Sequence, residues 1–183
     1  MSKVNRRSVK FADIDAVVAE AQRLLDQGYA KAGNWSLGQC CNHLALALGL
    51  TLKRYWLRLP PPFSTINRAL FFGTDLAPAL AGKIRLPTLP GFAQTEPVDD
   101  HEGVRRLIEA ADRVKAAGDA ELQPNPLMGK LTKDQWLRFH TIHAERHLGF
   151  LVPHHNPAGK QTSHNPSESS SPHQSRGATA EHA

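Results

Sequence analysis

Cysteine is scarce in this sequence. Cys40 and Cys41 are the only two, and they are adjacent. Neighbouring cysteines are awkward to bridge to each other, and no third is there to pair. A secreted disulfide scaffold is therefore excluded, and a reducing compartment is expected. Long hydrophobic runs are also missing. The longest, Leu44 to Leu52, holds nine residues and is interrupted by Gly49 and Thr51, whereas a membrane-spanning helix needs about 20. No apolar stretch follows the Arg6-Arg7 pair, so no signal peptide is read there and a cytoplasmic location is the expectation. Aromatic residues make up only 7%, which argues against an all-β protein. No glycine-rich phosphate loop, no internal repeat and no convincing period-two run stands out, so no strand is expected.

What is present fits a small globular body with a tail. The chain has 183 residues, 40% hydrophobic and 21% charged, which suits one domain, or one domain plus a tail, rather than a disordered or fibrous chain. From about Asn156 the sequence is rich in Ser, Pro, His, Gln and Gly, with almost no large apolar residue. Such a segment cannot bury enough surface to offset its ordering entropy. A domain over residues 1–153 and a disordered tail over 154–183 are expected.

The net charge is +5, and it is uneven. Between Thr51 and Thr95, Lys53, Arg54, Arg58, Arg68, Lys83 and Arg85 stand against Asp75, so six minus one accounts for all of it. A basic surface of this kind can meet an anion or a nucleic acid. The window lacks the interleaved exposed aromatics of a single-strand binder, and a solvated basic face is the plainer reading. Nucleic acid is not an expected partner.

Four helices are read from periodicity. The first covers about Asp13 to Asp26, with Ile14, Val17, Val18, Ala21, Leu24 and Leu25 on one stripe and Gly28 as a stop signal. The second starts at Ser36, which stands in capping-box spacing with Gln39, and continues toward Leu57 before Pro60, Pro61 and Pro62 end it. Shorter helical pieces are expected over Thr65 to Phe72 and Leu76 to Lys83, and a loop over Pro87 to Pro97. The third covers about Asp100 to Ala117, and the last opens at the capping box of Thr132 and Gln135 and runs to about Leu151. The economical fold is all-α: an antiparallel four-helix bundle whose long crossover spans roughly Pro60 to Asp99.

The last helix carries the chemistry-bearing residues. Its histidines are His140, His143 and His147, and the last two are four residues apart. That spacing stacks them on one helix face, where they can ligate a single metal. A second helix must then supply a further ligand, and the second helix has one histidine, His43. Three neutral imidazoles with an open position suit zinc or nickel. The bland alternative is a set of core histidines, each satisfied by a hydrogen bond. Cys40, one turn before His43, could close the fourth position, although free cysteine is also a common buried hydrophobe. Cys40 is expected to be packed rather than ligating. Gln39, one turn before His43, could orient its ring. His140 or Glu145 are the candidates for a base.

These residues also carry a resemblance. The stretch Gly33-Asn34-Trp35-Ser36-Leu37-Gly38-Gln39-Cys40-Cys41-Asn42-His43-Leu44 resembles the second-helix motif of the DinB/YfiT-like superfamily, in which a Trp-Ser pair is followed about eight residues later by His-Leu. The stretch from Trp136 through His140, His143 and His147 to Leu151 is similar to the closing helix of one branch, domain of unknown function 1569. Asn125 to Thr132 resembles the turn before that helix. The likeness covers about Arg6 to Pro153. It implies a DinB-like four-helix bundle of metalloenzymes in which His43, His143 and His147 are the metal ligands and His140 has no assigned role. Two departures touch substrate contacts only: Arg146 and Asn125 stand where the branch frequently has histidine.

The resemblance implies a metal-dependent enzyme acting on a small molecule. The metal would activate water, or a low-molecular-weight thiol of the kind some superfamily transferases use, for thiol transfer or hydrolysis. The alternative is a non-catalytic metal-binding or dimerising accessory bundle, with a homodimer as its partner state.

Overall fold

The computed structural model describes residues 5–73 and 92–154. The helical piece expected over Leu76 to Lys83, part of the Pro87–Pro97 loop, the charges Asp75, Lys83 and Arg85, and nearly all of the tail lie outside the described residues. Among the described residues the order is α1 (Ile14–Gln27), β1 (Tyr29–Lys31), α2 (Leu37–Gly49), α3 (Phe63–Gly73), α4 (Asp100–Ala116), a single 3-10 turn (Asp119–Glu121), α5 (Lys133–Leu148) and β2 (Leu151–Pro153). The protein is mostly helical, with one small sheet.

Helices α1, α2, α4 and α5 each start where their first orphan donors find a side-chain acceptor. Asp13 accepts from the amide of Ala16 at the head of α1, and Asp99 accepts from Glu102 at the head of α4. Ser36 with Gln39 and Thr132 with Gln135 both form complete capping boxes. Such caps contribute about 1 kcal/mol each. Helix α1 stops at Gly28, whose φ of 72° lies in the region that only glycine enters without cost.

The core forms between the apolar stripes of α1, α2, α4 and α5. Leu24, Leu37, Leu48, Leu107 and Leu148 are fully buried there, and each such side chain contributes on the order of 2 kcal/mol of transfer free energy. A second cluster gathers Met128, Leu131 and Trp136 against Phe71, Phe72 and Phe139. The indole N–H of Trp136 donates to the Gln123 carbonyl at 3.2 Å, so its burial leaves no donor unsatisfied. Helix α3 is tied to this end of the molecule by Asn67, which donates to the Leu127 carbonyl, and Arg68, which donates to the Lys130 carbonyl.

The closest helix contact is between α2 and α4. A Cβ built on Gly103 would lie 2.4 Å from the Gly38 carbonyl oxygen and 2.5 Å from the Gly38 Cα. A Cβ on Gly38 would lie 2.3 Å from the Val98 oxygen. The two backbones therefore touch, with no room for any side chain at the crossing. Asp100 secures the same crossing: its carboxylate accepts from the Gly38 amide at 2.7 Å and from the Tyr29 hydroxyl at 2.9 Å. That hydroxyl in turn accepts from the Leu37 amide at 2.9 Å.

Three expectations are corrected. Strands do occur: Tyr29, Ala30 and Lys31 pair antiparallel with Pro153, Val152 and Leu151. Three residues are too few to display a period, and the partner lies more than a hundred residues away in the chain. The last helix accordingly ends at Leu148, short of Leu151. Helix α2 likewise ends at Gly49 and does not reach Leu57. Thr51 is fully buried, and its carbonyl accepts from the Gln123 amide at 2.8 Å, so tertiary bonds take the backbone group that another helical turn would need.

The glycine crossing makes a sharp contrast. Gly103→Ala should lower unfolding free energy by about 1–3 kcal/mol or more, as overpacking does. Gly49→Ala, where nothing lies within 4 Å, should be neutral or slightly stabilising. Urea unfolding of both variants measures the difference; equal stabilities would contradict the contact.

Candidate metal centre

Three of the expected side chains meet. Helix α2 presents His43, and α5 presents His143 and His147 one turn apart. One ring nitrogen from each lies within 4.8 Å of the other two. The ring centroids of His43 and His147 are 4.5 Å apart, those of His143 and His147 4.7 Å, and those of His43 and His143 5.1 Å. A tetrahedral ion with nitrogens at about 2.1 Å needs them roughly 3.4 Å from one another. The 3.0 Å separation of His43 Nε2 from His143 Nε2 is close to that. The three imidazoles could hold a metal ion.

The hydrogen bonds determine which nitrogens are free. His43 Nδ1 lies 3.0 Å from the carbonyl oxygen of Phe92. A carbonyl only accepts, so Nδ1 carries the proton and Nε2 carries the lone pair. In the 3.0 Å contact it is then His143 Nε2–H that donates to His43 Nε2. A metal at the centre requires His143 to move that proton to its other nitrogen, which a neutral imidazole does by changing tautomer.

Burial keeps the rings neutral. It lowers His43, with the Phe92 carbonyl opposing. It drives His147 down to about 3, helped by His43, Arg146 and Arg6. His143 is held well below the ordinary histidine range by burial first, then by its histidine neighbours and Arg146. Neutral imidazole is the form that binds metal. Trp35 closes one side. Its indole stacks on His147 at 5.3 Å, with the rings 9° from parallel, and lies 5.1 Å from His43. Phe92 meets His43 edge-on at 6.1 Å, and Phe139 lies 5.8 Å from His143.

The remaining candidates fall elsewhere. His140 is buried one turn before His143, stacked on Trp136 at 5.2 Å, with Nε2 2.8 Å from Thr51 Oγ1. Cys40 is packed in the core, its sulfur 3.9 Å from the His147 carbonyl oxygen. Burial, with Asp100, raises its thiol to about 12. Gln39 bonds partners other than the His43 ring. Its side-chain oxygen accepts from the Ser36 amide and its nitrogen donates to the Glu96 carbonyl at 3.1 Å. Glu145 points away toward the N-terminal segment, accepting from Lys10 at 2.9 Å and from the Phe11 amide at 3.2 Å. It docks that segment and is not placed as a base. Asn125 accepts from the amides of Leu127 and Met128, shaping the turn that leads into α5.

Thr51 and the Phe92 carbonyl escaped the sequence reading. Thr51 is a single hydroxyl at the end of an apolar run. A backbone carbonyl leaves no mark on residue type, so no signal for Phe92 exists.

A family model described as "Protein of unknown function (DUF1569)" matches residues 3–154. No curated protein and no solved structure matches the chain.

The buried histidines predict a pH dependence. His140 has a folded pKa of about 3 against an ordinary value near 6.5. Above pH ~6.5 both states are neutral and the group contributes nothing. Below it the unfolded chain binds the proton first, so stability falls as pH drops from ~6.5 toward 3, by about 2 kcal/mol from His140 at pH 5. Urea unfolding of metal-free protein at pH 7 and pH 5 should show this loss, and His140→Gln should reduce it by roughly that amount. An unchanged loss in the variant would contradict the burial.

Proposed function

The chain belongs to the DUF1569 family, and we propose that it is a divalent-metal protein built as a DinB-like four-helix bundle, with α1, α2, α4 and α5 as the four helices. The single observation that carries this reading is the approach of three imidazoles from two helices, with one ring nitrogen from each within 4.8 Å of the other two. His43, His143 and His147 are the ligands, and zinc or nickel suits an all-nitrogen set. The chemistry the ion supplies when bound is Lewis-acid activation of a water or a low-molecular-weight thiol for hydrolysis of, or transfer to, a small molecule.

The chain's own residues have separable parts in this reading. The Phe92 carbonyl holds the His43 proton on Nδ1 and leaves Nε2 for the ion. Trp35 fixes the plane of His147 by stacking. Cys40, packed in the core with its sulfur 3.9 Å from the His147 carbonyl oxygen, is not assigned as a ligand, which leaves a fourth position for water or a thiol. His140 and Thr51 are both buried and bond each other, which holds the His140 ring one turn before His143 and keeps it as the candidate base.

A second reading, a dimerising accessory protein, has one observation in its favour. Phe63, Ile66 and Leu70 recur at helical spacing on α3 and are exposed, as is Trp56 just before it. Light scattering would give twice the chain mass for the dimer.

Metal analysis of protein purified without a histidine tag tests the leading reading. One divalent ion per chain is expected. His143→Ala should lose it, and Cys40→Ala should keep it with less than 2 kcal/mol lost from the core. Full metal content in His143→Ala would overturn the ligand set. Loss of metal in Cys40→Ala would turn the site into a closed structural centre.

A further inference from the structure

The segment 92–98 runs beside α2 and is held there by side chains on one stripe of that helix. Gln39 donates to the Glu96 carbonyl at 3.1 Å and reaches the Gln94 carbonyl at 3.5 Å. Asn42 donates from Nδ2 to Gln94 Oε1 at 2.8 Å. His43 donates from Nδ1 to the Phe92 carbonyl at 3.0 Å. Positions 39, 42 and 43 are three and four residues apart, so they lie on one helix face. Asn42 is itself fixed from the other side, because Arg106 Nη1 donates to its Oδ1 at 2.8 Å. Arg106 is in turn held by Glu102, whose oxygen accepts from its Nε at 2.7 Å. A chain of bonds thus runs from α4 through Asn42 to Gln94, and the same segment ends on the ring of a ligand.

We propose that the segment 92–98 is part of the metal centre, with Asn42 and Gln94 as positioning residues that hold the Phe92 carbonyl on His43. This inference rests on the metal reading of the three histidines. The physical ground is that a ligating imidazole needs its other nitrogen bonded to an acceptor, which fixes both tautomer and ring plane. Here the acceptor is a main-chain oxygen on a segment without regular structure. Its place is therefore only as firm as the bonds that tether the segment. A tether at Gln94, two residues from Phe92, holds that oxygen over Nδ1. The coupling is reciprocal: what steadies the segment tightens the metal, and the metal steadies the segment.

The test uses zinc alone as the probe on the full chain. Affinity is read by competition with a chromophoric chelator, and hydrogen exchange of the amides in 92–98 is followed with and without zinc. Asn42→Ala and Gln94→Ala should each weaken zinc about tenfold or more, as losses of ligand-orienting partners do. The double variant should be little weaker than either single one, since both remove the same bond. Zinc should slow exchange across 92–98 in the natural chain and slow it less in Gln94→Ala. Gln94 is outside the helices, so its variant keeps the test open if Asn42→Ala fails to fold. Zinc bound by the natural chain with unchanged affinity in Gln94→Ala would overturn this inference alone, as would exchange in 92–98 that ignores zinc. A natural chain that binds no zinc would overturn both this inference and the metal reading beneath it.

Discussion

The architecture depends on one steric constraint: α2 and α4 touch backbone to backbone where Gly38 meets Gly103. Side chains normally keep helix axes 8–10 Å apart, and two glycines remove that spacer. The amides at the start of α2 are then within reach of Asp100, and Tyr29 joins them through its hydroxyl. Burial and the nearby Asp100 raise that phenol to about 12, so it stays a neutral donor. One carboxylate therefore ties the head of α2, the head of α4 and the first strand together. Everything α2 carries, including His43, is placed by this junction.

The second strand completes the frame from the far end of the chain. Pairing of Leu151–Pro153 with Tyr29–Lys31 brings the end of α5 beside the start of α2. Arg7 adds to this closure: its amide donates to the Gly149 carbonyl, its guanidinium donates to the Leu151 carbonyl, and it pairs with Glu20 on α1. Two helices held at both ends in this way leave little freedom at the point where their histidines meet. The cost sits in desolvation, since four buried or half-buried imidazoles must remain uncharged. Each has a local partner: His43 a carbonyl, His140 a hydroxyl, His143 the ring of His43, and His147 an indole face.

Much of this was legible in the residues, and the reasons are local. Capping boxes name their own partners three residues on, so Ser36 with Gln39 and Thr132 with Gln135 marked both helix starts to within a residue. Gly28 marked the end of α1 because a positive φ belongs to glycine. The pairing of His143 with His147 is likewise a matter of helical pitch. Gln39 misled for an instructive reason. It stands one turn from His43, but its amide was already committed to the cap and to the crossover carbonyls.

Residue order alone marked the four long helices α1, α2, α4 and α5, the positions of their heads and the shared face of two histidines, because these rest on interactions within four or five residues. Long-range packing brings His43 to that pair, sets the Phe92 carbonyl on its ring and places Thr51 on His140. It also decided where α2 and α5 stop, since their last turns lose their backbone groups to Gln123 and to the β1 pairing. The reason is the same in each case. Contacts between residues far apart in the chain are selected by packing and by the need to satisfy buried polar groups, and neither leaves a mark in local residue order.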